Sequence, residues 1–141
     1  MIDCGALASL GETYPPATTE DIQRIEAELG CKLLPSYTNF LQCTNGLESL
    51  TLDVYLYPTA NLTERNATYQ VPRFAPTLLL IGTDGGGRGI FLDLHSPDGA
   101  LWLIGFGSMR IEDGGFLAED MERWTTDKFY IPDRYDPDEE D

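Results

Sequence analysis

The stretch Leu78-Leu79-Leu80-Ile81-Gly82-Thr83-Asp84-Gly85-Gly86-Gly87-Arg88-Gly89-Ile90-Phe91-Leu92-Asp93-Leu94 decides the fold class. Two apolar runs of strand length flank a glycine-rich turn, so the segment reads as strand, turn, strand. Both runs are apolar at consecutive positions, the pattern of central strands covered on both faces. Consecutive amides in Asp84–Gly89 would also suit an anion cradle. There is, however, no Gly-Lys-Ser/Thr and no G-x-G-x-x-G spacing, and the turn leads into a strand rather than a helix. A tight hairpin with positive φ is the reading that remains.

Downstream, His95-Ser96-Pro97-Asp98-Gly99 makes another turn and Ala100 to Phe106 another strand. Gly107 to Gly115 reads as a loop before a last helix, whose buried face carries Leu117, Met121 and Trp124. Upstream, Leu52, Val54 and Leu56 alternate with Asp53, Tyr55 and Tyr57, a half-buried strand. Residues 58–76 are polar, with three prolines and two Asn-x-Thr sequons at Asn61 and Asn66. They read as a long loop with one short strand near Tyr69–Val71.

Two helices come first. Thr18 caps one, with Asp21 at the third position, Ile22, Ile25 and Leu29 inside, and Gly30 as the stop. Pro35 sits in the first turn of the other, with Tyr37, Phe40 and Leu41 on one face and Asn45-Gly46 at its end. Residues 1–17 read as an extended lead-in, 18–131 as one domain, and 132–141 as an acidic, disordered tail. The order is two helices, a mostly antiparallel sheet and a helix, which is an α+β domain.

This series resembles the SMI1/KNR4 family of the SUKH superfamily. The resemblance rests on the acidic helix with Ile22, Ile25, Glu26 and Leu29, on Leu34-Pro35-Ser36-Tyr37-Thr38-Asn39-Phe40-Leu41, and on Asn45-Gly46. It continues through Ile81–Gly87, Asp93 and Phe116-Leu117, covering about Thr18 to Lys128. It implies a non-catalytic binding domain. Bacterial members are mostly immunity proteins that neutralise a polymorphic toxin, commonly a nuclease, by direct contact. Fungal members are scaffolds tied to wall synthesis and signalling. The sequence carries no long flanking regions, so the bacterial role is the expected one and the scaffold role the alternative.

Composition points the same way. Lys and Arg number 9 against 24 Asp and Glu, for a net charge of −15, and the chain without 132–141 still holds 18 acids against eight bases. Such a surface repels nucleic acid and anionic lipid and attracts a basic protein. No apolar run is long enough to span a bilayer. The first residues, Met1-Ile2-Asp3-Cys4-Gly5, carry an acid where an export signal carries Lys or Arg, so a cytoplasmic protein is expected. Three widely spaced cysteines, Cys4, Cys31 and Cys43, with one histidine fit no zinc site. Reduced thiols are expected of them, with Cys43 buried.

No cofactor and no catalytic residue is expected. His95 is the only histidine, and at a strand end before Pro97-Asp98-Gly99 it reads as a turn residue. Candidate partner contacts are Asp53, Tyr55 and Tyr57 on one strand face, Asp84 and Arg88 at the glycine turn, and Glu112 and Asp113 in the loop before the last helix. Tyrosine beside acid is a binding-surface composition. The same tyrosines would equally pack beneath the long polar segment.

Overall fold

The computed structural model describes residues 2–132; the expected acidic tail, Pro132 apart, lies outside the described residues. Seven strands form one sheet in chain order, every neighbour antiparallel. They are β1 (Glu12–Thr13), β2 (Leu47–Ser49), β3 (Val54–Leu56), β4 (Leu78–Thr83), β5 (Arg88–Asp93), β6 (Leu101–Gly105) and β7 (Gly115–Ala118). Six helices accompany them among the described residues: α1 (Cys4–Leu7), α2 (Thr19–Leu29), α3 (Pro35–Leu41), α4 (Thr59–Thr68), α5 (Val71–Phe74) and α6 (Met121–Thr126). This is a single α+β domain.

The centre of the sheet is as the apolar runs require. Leu79, Ile81, Ile90, Leu92, Leu101 and Leu103 point to one face, where they meet Ile25, Phe40 and Trp124 of the helices. Leu78, Leu80, Phe91 and Ile104 point to the other, beneath Val71, Ala75 and Met109. Alternation is hidden in the sequence because both faces are dry. The helix signals also hold. Thr18 Oγ1 accepts from the Asp21 amide at 3.0 Å, and the Thr18 amide donates to Asp21 Oδ2 at 2.9 Å. Gly30 ends α2 at φ 73°.

Four expectations need correction. The long polar loop is α4 and α5; only Leu62, Asn66 and Thr59 of α4 are buried, too narrow a stripe to announce a helix in sequence. Asn66 of the second sequon is among them. The Leu80 amide donates to Asn66 Oδ1 at 2.9 Å, while Asn66 Nδ2 donates to the Leu80 carbonyl at 3.0 Å and that of Leu62 at 2.8 Å. The side chain thus continues the ladder of β4 where the pairing with β3 has ended. Second, Phe116 and Leu117 lie in β7, paired to β6, and the last helix starts only after Asp120, whose carboxylate accepts from the Arg123 amide at 2.7 Å.

Third, the lead-in is folded into the domain. Leu7 of α1 is buried, and β1 pairs with β2. Backbone bonds from Ala17 to Leu41 and from Asn45 to Pro15 then dock the segment along the end of α3. Fourth, Cys4 and Cys43 form a disulfide, with Cα atoms 5.1 Å apart, and only Cys31 is free among the described residues. The docked lead-in brings the two cysteines within bridging reach, which spacing in the sequence does not reveal.

Candidate functional site

The expected contact residues fall into separate places. The glycine turn is built as a hairpin should be, with Gly85 at φ 82°. Asp84 spends its carboxylate on that turn: Oδ1 accepts from the Gly86 and Arg88 amides at 2.8 and 3.3 Å, and Oδ2 from Arg88 Nε at 2.9 Å. Tyr55 lies against the same turn, its ring 2.8 Å from where a Cβ on Gly85 would stand. Glycine is therefore needed there for room as well as for φ. Asp84, Arg88 and Tyr55 are brought together.

Arg88 also shares a pocket of about 330 Å³ with Asp113, on the side of β6 and β7. Asp113 accepts from Ser108 Oγ at 2.6 Å, and Glu112 pairs with Arg110 at 3.0 Å. Both acids are exposed. Asp53 stands apart, at φ 54° in the turn between β2 and β3. Tyr57 is half-buried, with the Arg65 guanidinium 5.8 Å from its ring centroid. Burial raises its pKa and Arg65 draws it down. Tyr57 thus packs against both hydrophobic clusters, while Tyr55, likewise half-buried, lies at the glycine turn. His95 is an exposed turn residue whose amide donates to Asp93 Oδ1 at 3.0 Å.

Strands β1 and β2 add residues that the sequence reading missed. Glu12 pairs directly with Glu48, and Glu48 with Tyr55, so the three form one row across β1, β2 and β3. The row lies on the face opposite Leu47, Val54 and Leu56, which enter the core. Helix α5 and Met109 cover that opposite face only further along the sheet. Glu12 and Glu48 remain exposed and form no ion pair among the described residues. A hydrogen bond with Glu48 raises the pKa of the Tyr14 phenol, with desolvation and the charges of Glu48 and Glu12 adding to it.

Beside this row opens a groove of about 480 Å³, lined by Tyr14, Asp21, Asn45, Glu48, Pro58 and Asn61 together with the apolar Leu56. Asn45 holds its far wall, its Oδ1 accepting the Thr59 amide at 2.8 Å and so capping α4 from a distance. Gly46 stands at φ 97°, and a Cβ there would lie only 3.0 Å from the Leu56 carbonyl oxygen and the Pro58 nitrogen. Helix α3 ends at Leu41 with Gln42 as its cap, so the Asn-Gly pair expected to close it instead follows it and contributes Asn45 to this groove. The missed signal was the alternation Leu47-Glu48-Ser49, too short to count as periodic on its own.

A model of the SMI1 / KNR4 family (SUKH-1) matches residues 16–133. The chain belongs to that family. No curated protein matches the chain. In this SUKH-1 domain the family match begins at Pro16, yet β1 and Tyr14, just before it, complete the acidic row and the groove. Among the described residues no group of three His, Cys, Asp or Glu side chains could hold a metal ion. No described helix is long and apolar enough to cross a membrane.

Proposed function

We propose that this SUKH-1 chain is an immunity protein, which binds a cognate basic toxin domain of nuclease type and neutralises it by direct contact. The observation that carries the reading is a family domain with 24 acids against nine bases. Opposite charge steers the encounter with a basic enzyme, and covering its substrate path needs no chemistry from the inhibitor. The uncovered row Glu12, Glu48 and Tyr55 is the part of the surface that best supports it. Asp53, Tyr57, Asp84, Arg88, Glu112 and Asp113 remain candidate contacts at their separate places on the surface.

The test is capture of partners from the native cells with tagged full-length chain, washed at low and high salt. One basic domain recovered at near one-to-one ratio, more weakly at high salt, is the expected result. Several wall-synthesis or signalling proteins would instead make the chain a regulatory scaffold. Turnover of any substrate, lost in His95→Ala, would contradict a purely binding role. We place the chain in the cytoplasm, where thiols are kept reduced. The Cys4–Cys43 bridge of the structure would then be the oxidised form of the chain, closing outside the reducing pool. Acid-quenched alkylation of intact cells should find both thiols free, and oxidation of the purified chain should close the bridge. A pair already bridged in cells would move the protein to an oxidising compartment.

A further inference from the structure

We infer that the groove between Tyr14, Glu48 and Asn61 is a socket for an arginine side chain presented by a basic partner protein. The proposal deepens the immunity reading, on which it rests for the partner but not for the site. The groove is a concavity of about 480 Å³ whose lining includes the flat-faced residues Tyr14, Pro15, Pro16 and Pro58. Leu56 adds an apolar residue to that lining and Glu48 an exposed acid without an ion pair among the described residues. That combination fits a guanidinium, which is planar, weakly hydrated, stacks on flat faces and forks onto a carboxylate. A lysine ammonium, compact and strongly hydrated, would leave the flat faces unused.

Charge complementarity makes the choice of occupant. Among the described residues no Lys or Arg lines the groove. Asp21, the other acid of its lining, is already held 3.5 Å from Arg24, and its second oxygen accepts the Thr18 amide. Asn45 is likewise committed to Thr59. Glu48 accepts the Tyr14 hydroxyl but forms no ion pair among the described residues, so it is the acid left with its charge to meet a guest. Directly across the strands stands Glu12, and like charges placed opposite each other oppose folding. The pair persists at a cost that a bound cation would offset. Tyr14, 37% exposed, lies in the same lining, where an aromatic ring can stack with a guanidinium.

The probe is N-acetyl-arginine-amide, titrated into the 15N-labelled full chain, with N-acetyl-glutamine-amide as the neutral control. The expected result is a saturable shift of the Tyr14, Asn45, Glu48 and Asn61 amides with the arginine probe alone. The dissociation constant should rise at least tenfold in Glu48→Gln and hold within twofold in Glu119→Gln, an exposed acid outside the groove. Shifts spread over the acidic surface without saturation, or equal affinity in Glu48→Gln, would overturn the socket. Thermal unfolding of Glu48→Gln, which relieves a repulsion, keeps a folding defect from posing as lost binding. The two readings part cleanly. A saturable socket with a captured partner list free of toxins ends the immunity role alone, whereas a captured toxin bound equally by Glu48→Gln ends the socket alone.

Discussion

Strands β4 to β6 are packed on both faces, with helices on one side and α5 and Met109 on the other. Strands β1 to β3 bury Leu47, Val54 and Leu56 on one face and leave Glu12 and Glu48 exposed beside the half-buried Tyr55 on the other. The same sheet thus serves as core at one end and as surface at the other. A strand covered twice spends every side chain on packing, so variation there is read out as stability. A strand covered once has alternate positions to give to a partner. The sharpest way to break this contrast is Phe91→Ala. Phe91 is fully buried on the thinly covered face, edge-on to Phe106 at 6.4 Å. We expect a loss of about 4 kcal/mol in urea unfolding. A loss below about 1 kcal/mol would mean that the second face is not a core.

The next effect concerns how the open end is held. Cys4–Cys43 closes a loop with a sequence separation of 39 and ties α1 to the end of α3, just behind the docked lead-in. Reduction should lower stability by about 3 kcal/mol, mostly by freeing the unfolded chain. Equal melting temperatures with and without reductant would show that the lead-in is held by its hydrogen bonds alone. Smaller again is Asn66→Ala, at the seam between the two halves of the sheet. It strands the amide and carbonyl of Leu80, and we expect a cost of about 2 kcal/mol. Faster hydrogen exchange should be confined to the Leu80 amide and its neighbours; uniform acceleration would argue against a local seam.

What the sequence discloses follows the same divide. Strands β4, β5 and β6 and helices α2 and α3 are legible because long apolar runs, caps and glycine stops each repeat the message over several residues. Strands β1 and β2 are two and three residues long, and no period can be read from so few positions. Helix α4 is polar because it packs on α2 and β4 through only a few buried side chains. The contact residues divide in the same manner. Tyr55 shows itself by alternating with Val54 and Leu56, but its neighbours Glu48 and Glu12 become neighbours only through strand pairing. Asp84 has the right charge in the right place and is used up by its own turn, a fact that only geometry supplies.

The smallest effect tests the comparison most closely, because it has the opposite sign. Glu12 and Glu48 face each other on neighbouring strands, both exposed and both without an ion pair among the described residues. In a surface selected for stability alone, one of them would be neutral or basic. Glu12→Gln should therefore stabilise the free chain, by about 0.5 kcal/mol at low salt. The gain should shrink as salt rises, since added ions screen exposed charges over about 10 Å at 0.1 M. A destabilised Glu12→Gln would show that Glu12 is held by something the strand pairing does not reveal. The open end of the sheet would then be an ordinary surface, not one that gives up stability to keep two acids together.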